Sequence, residues 1–159
     1  MNFTKTTMWA ECEKLRELHN ITCADLSKNV FPEVSTSYYA TRRNLKDGGI
    51  RTPFMTLQYL GLKQVVFRKT LPTSQVIEAV VDITQKDTIE IIEQLVYAVS
   101  ILAFNTPLTR LPQTLRRAIV QDKVTSVLTL TTFEKAFEAI GNVTMAFHYT
   151  PLASMEDMF

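Results

Sequence analysis

The stretch that decides the fold runs from Thr22 to Arg51 and reads TCADLSKNVFPEVSTSYYATRRNLKDGGIR. Thr22 is a good N-cap, because its hydroxyl accepts from a backbone N–H in the following turn, and Leu26 with Val30 supplies one inward face, so a short helix is predicted here. Phe31-Pro32 ends it, since the residue before proline avoids the helical region. A further helix is predicted over 35–46: Ser35, Thr36 and Ser37 offer caps, and no breaker follows until Gly48-Gly49. Arg42, Arg43 and Lys46 gather in its last turns, where cations complement the helix dipole, and Arg51 follows the glycines. A short apolar-faced helix followed across a turn by a polar, basic one is the pattern of a helix that enters a DNA groove.

Working outward, 7–19 reads as a helix with Met8, Cys12 and Leu15 on one face and charges elsewhere. Trp9 is expected in the core, and of the adjacent pair Tyr38 and Tyr39, which cannot share a face, Tyr39 is expected inward. A fourth helix is expected to begin near Pro53 and run through Phe54, Leu57 and Leu60 to a stop at Gly61. Residues 63–69 read as a strand or extended linker, and Leu71-Pro72-Thr73 is read as the boundary between a domain at 1–70 and another at 71–159.

Leu15 to Thr22, Ala24 to Ser27, the polar helix and Pro53 to Leu62 together resemble the helix-turn-helix domain of the lambda-repressor-like family of phage and bacterial regulators, over the first sixty-odd residues only. The resemblance implies that 20–27 enters the second helix, that the polar helix is the reader, and that a proline turn followed by a helix ending in Leu-Gly-Leu closes the domain. The turn departs from the family pattern: Val30-Phe-Pro-Glu-Val34 is about two residues longer, which leaves the register of the reader open. A winged-helix arrangement, with 45–50 ending the reader and 55–69 forming a wing, places the same helix in a groove.

Charge follows the same division. The whole chain carries 17 Lys and Arg against 16 Asp and Glu, a net charge of +1. Before the Thr70 to Leu71 junction there are eleven bases against six acids, and after it six against ten. Such an asymmetry points to a polyanion partner for the first half. A reader helix needs short polar side chains toward its N-terminal end and bases that reach phosphates. The expected contacts with double-stranded DNA are therefore Thr22, Ser35, Thr36, Ser37, Tyr38, Thr41, Arg42, Arg43, Lys46 and Arg51. The competing reading is that the serines and threonines only cap and that the bases form an ordinary solvated face.

In the second half a helix is predicted over 74–84, from Val76, Ile77, Val80 and Val81. Asp87 and Glu90 have capping-box spacing and launch a helix to Phe104 that is apolar over more than one face. Ile92, Leu95, Val96, Val99 and Leu102 of that helix are expected to hold a homodimer together. A short helix is read at 113–122, a strand at 124–130, a helix capped by Thr131 and ending at Gly141, and a strand at 143–149. The expected class is mainly α within α+β: a four-helix helix-turn-helix domain followed by a mostly helical domain with a few short strands.

Cys12 and Cys23 fit neither a disulfide framework nor a zinc site, and only His19 and His148 are present to act as histidine catalysts. No nucleophile-elbow, phosphate-loop or metal-ligand spacing occurs, so no enzyme, metal or cofactor is expected. No secretion signal is read at the start, and the longest nearly apolar run, 95–104, is half the length of a membrane span, so a cytoplasmic location is expected. The functional expectation is a sequence-specific transcriptional regulator of phage, plasmid or bacterial type that binds operator DNA as a homodimer. The alternative is a protein-interaction inhibitor or antitoxin whose helix-turn-helix autoregulates its own gene while the second half holds a protein partner.

Overall fold

The computed structural model describes residues 1–150; residues 151–159, with which the second expected domain ends, lie outside them. Thr4 caps the first helix, α1 (Lys5–Leu18), by accepting from the Thr7 N–H while the Thr7 hydroxyl accepts from the Thr4 N–H. Two eight-residue helices follow, α2 (Cys23–Val30) and α3 (Tyr38–Leu45), and then α4 (Arg51–Tyr59). Gly61, at φ +102°, turns the end of α4 into strand β1 (Leu62–Thr70), a left-handed conformation that costs glycine nothing. A tight turn over 71–75, closed by the Leu71 N–H donating to the Gln75 carbonyl at 2.8 Å, leads into β2 (Val76–Asp82).

The chain continues through α5 (Thr88–Leu102), a 3-10 helix (Leu108–Arg110), α6 (Gln113–Gln121) and α7 (Leu130–Ile140). It returns as β3 (Val143–Tyr149) on the free side of β1, giving an antiparallel sheet in the order β2-β1-β3. Among the described residues the fold is therefore α+β, seven α-helices and one small sheet.

Five local expectations change. Residues 74–84 are not a helix but the turn and β2: Val81 pairs with Val65 and Ala79 with Phe67, so alternate residues face the core and the period is two. No strand forms over 124–130; Leu128 and Leu130 are buried and Thr129, not Thr131, caps α7 in a box with Thr132. The third helix starts at Tyr38, after Ser35, Thr36 and Ser37. The proposed wing is occupied by the end of α4 and by β1, the central strand of the sheet.

The boundary at Thr70 to Leu71 falls inside a hairpin. Both neighbours of β1 come from the second half, and a single buried cluster runs from Phe3 and Met8 through Phe54, Val65 and Phe67 to Leu95, Phe133 and Met145. At its centre Phe67 stacks on Phe137 at 4.6 Å and meets Phe3 at 5.8 Å. The Lys69 ammonium, also on the inner face, donates to the Ile140 carbonyl at 3.0 Å, which satisfies a buried charge with a helix C-terminus.

The expected dimer residues also move. Ile92, Leu95, Val96, Val99 and Leu102 are all buried within the chain, because α5 lies against β2 and is flanked by α4, α6 and α7. An α-helix that is apolar on several sides needs several neighbours, and this chain supplies them itself.

Replacing Phe67 by Ala removes the ring on which both halves meet, at an expected cost of about 3–5 kcal/mol. In urea, fluorescence of Trp9, the single tryptophan of the chain, and far-UV circular dichroism are expected to report one coincident transition in wild type and variant alike. Transitions that separate would mean two cores.

Candidate nucleic-acid interface

The expected reader, α3, is fastened from beneath by one carboxylate. Glu13 of α1 accepts from the Tyr39 hydroxyl at 2.9 Å, from the Arg43 guanidinium at 2.6 Å and from Arg16 Nε at 2.6 Å. Arg16 also donates to the Ile21 carbonyl at 2.9 Å, holding the turn into α2, and Arg43 reaches the Cys23 sulfur at 3.2 Å. Buried Ser27 adds a second tie between α2 and α3: its hydroxyl accepts from the Tyr39 N–H at 2.9 Å and donates to the Cys23 carbonyl at 3.1 Å. Trp9 meets Tyr39 edge-on at 5.7 Å and donates to the Asp47 carbonyl at 2.9 Å, fixing the end of α3.

These contacts shift the acid–base behaviour of the hub. Burial pushes the Glu13 carboxyl upward, but hydrogen bonds from Arg16, Arg43 and Tyr39 outweigh it and hold the group below the ordinary carboxylate range. Burial, reinforced by the charge of Glu13, pushes the Tyr39 phenol and the Cys12 thiol far up, so both stay neutral.

The longer turn between α2 and α3 has a physical reason. Phe31 is fully buried and its ring meets Tyr38 edge-on at 5.1 Å, so the turn carries an aromatic anchor. Arg51 lies over the Phe31 ring at 4.9 Å and pairs with Glu33, while the Tyr38 hydroxyl bonds Thr52 at 3.2 Å. The turn, the start of α3 and the start of α4 are thereby one packed unit.

Of the expected contacts, Ser35, Thr36, Ser37, Thr41 and Lys46 lie exposed at and along α3. Ser37 occupies the N-cap position yet its side chain makes no capping bond; it bonds the Ser35 hydroxyl at 3.0 Å instead. Thr22 caps α2 by accepting from the Asp25 N–H at 3.1 Å, and Tyr38 is half-buried.

The bases are arranged differently from expectation. Arg43 is a clamp on Glu13, in a part-buried pair, and belongs to the support of α3. Arg42 pairs with Asp47 at 2.8 Å and covers the Tyr38 ring at 5.1 Å, and Arg51 is held by Glu33. These last two are surface pairs, which contribute little and open readily to a stronger anion. Lys28 and Lys46 are exposed and make no ion pair among the described residues.

Sequence reasoning missed Glu13, Ser27 and Phe31 as the supports of this face, and Lys28, Asn44 and Leu45 as exposed parts of it. Glu13 had one local signal, its place three residues before Arg16 on α1. Among the described residues no cluster of His, Cys, Asp and Glu is arranged to hold a metal, and no helix is long and apolar enough to cross a membrane. His19 sits exposed at the end of α1, and His148 is exposed on β3 opposite Gln64. Comparison with protein-family models, curated proteins and solved structures finds no match to this chain.

Glu13→Gln is expected to destabilise the protein by about 1–3 kcal/mol at neutral pH, because two guanidinium groups lose their anion. A carboxyl held low when folded contributes its stability above the ordinary value of about 4.3 and loses it as pH falls through the lowered one. Wild type and variant should therefore converge in strongly acid solution, measured by urea unfolding across pH. A gap independent of pH would show that the carboxylate is not the anchor.

Proposed function

We propose that this chain is a sequence-specific DNA-binding regulator, of the phage or plasmid repressor type, that reads the major groove with α3. The observation that carries the reading is the uncommitted N-terminal end of α3. Ser35, Thr36 and Ser37 are exposed there and none caps the helix, on a turn made rigid by Phe31 and Tyr38. Short hydroxyls at a helix N-terminus are what base edges and nearby phosphates accept, and Thr41 with Asn44 continues the polar face. Leu45, 70% exposed, has the character of a contact to a thymine methyl. Lys28 and Lys46 supply free cations for phosphates, with Arg42 and Arg51 released from their surface pairs on binding. A reader of eight residues covers few base pairs, so two copies on a palindromic site are part of the proposal.

A second reading has its own observation. The three arginines of the first half nearest the reader already hold carboxylates, and Leu45 is a large exposed apolar side chain. This favours a helical module that docks a protein, as in an inhibitor or antitoxin.

Selection of duplexes from a random pool, followed by fluorescence anisotropy over a salt series, separates the two. The regulator reading expects an enriched site, and expects Lys46→Ala with Arg42→Ala to flatten the slope of log K against log salt by about two phosphate equivalents. Thr41→Ala is expected to cost about 1–3 kcal/mol on the enriched site and little on random DNA. No enrichment, with the protein folded, overturns the reading.

A further inference from the structure

The side of α5 turned away from the core still carries an exposed aromatic ring, Tyr97, 66% exposed, and Phe104, in the turn just past the helix, is 56% exposed. Beside it α6 forms a ridge topped by Val120, 72% exposed. A groove of about 400 Å³ lies between the two helices, with Tyr97 on its wall and Glu93 and Asp122 at its rim. On the other flank of the ridge, toward Leu108, a second groove of about 330 Å³ is lined by Arg116 and Arg117.

The charges here contrast with those around α3. Among the described residues Glu93, Asp122, Arg116 and Arg117 make no ion pair, and Arg116 Nε is buried without a hydrogen-bond partner. One surface thus presents a ridge topped by Val120 and flanked by bases beside a mainly polar groove walled by Tyr97 and lined by Glu93 and Asp122. An isologous two-fold interface requires both complementary parts on the same patch.

From this complementarity we propose that the α5–α6 face is the homodimer interface, with the α6 ridge of each copy laid in the α5–α6 groove of the other. Val120 then packs on the partner's Tyr97, and Arg116 and Arg117 meet the partner's Glu93 and Asp122. The inference deepens the regulator reading, which calls for two copies, but rests on the surface alone. It replaces the buried residues of α5 with the exposed ones on the opposite side of the same helix.

Sedimentation equilibrium on the full chain tests it. Wild type is expected to be dimeric at tens of micromolar, and Val120→Asp, at an exposed position, to weaken association at least about tenfold with an unchanged circular dichroism spectrum. Glu93→Arg and Arg117→Glu are each expected to weaken the dimer, and the two together to restore it, a rescue that no single-chain structural role produces. A monomeric wild type, or a dimer indifferent to Val120→Asp and to the charge exchange, overturns the proposal. A dimer that enriches no DNA sinks the regulator reading and leaves this interface standing; a chain that is monomeric in solution yet binds a selected palindromic site in two copies does the reverse.

Discussion

The hydrogen bonds on the two edges of β1 hold the molecule together. One edge pairs with β2 immediately after it, the other with β3 some eighty residues later, so the last described strand completes what the first half begins. The inner side of β1 carries Val65 and Phe67 into the core, and α4 leads directly into its start. Helix α4 packs on α1 and α2, which carry α3. The orientation of the proposed reader is therefore inherited from a sheet built by both halves of the chain.

Within that frame the Glu13 carboxylate decides what the basic residues of α3 are free to do. It spends Arg43 and Arg16 on holding three helices together and leaves Arg42 and Arg51 in loose surface pairs. The excess positive charge of the first half is thus smaller at the surface than a count of residues implies. What the arrangement secures is rigidity: the tyrosine, the serine of α2 and the tryptophan all bond or stack on the inner side of α3 and leave its outer side open. A preorganised helix loses less freedom on binding than one that must be ordered by its ligand.

What was legible in the sequence was local. Thr22 and Asp87 cap their helices because a cap depends on neighbours three residues away, and the 3.6-residue spacing of Met8, Cys12 and Leu15 marks the buried side of α1. What failed depended on distant partners. Val76, Ile77, Val80 and Val81 fit one face of a helix as well as the two sides of a strand, and only pairing with β1 chooses between them. The apolar breadth of α5 was visible, but its cover was not, since β2, α6 and α7 reach it only in the folded chain. Arg43 looked like a phosphate contact because its carboxylate lies thirty residues back. The hydroxyls before α3 are exposed, as contacts to a ligand require, although the helix starts after them rather than at Ser35.

The central claim is that the outer side of α3 is the surface that meets DNA. Backbone amide chemical shifts of the full chain, followed during titration with a short duplex carrying the selected site, test it most directly. The account predicts that the largest changes fall at Ser35, Thr36, Ser37, Thr41, Asn44, Leu45 and Lys46, with smaller ones at Lys28, while amides of α6 stay unmoved. Changes concentrated on α6 and the 3-10 helix before it, with α3 silent, would contradict it.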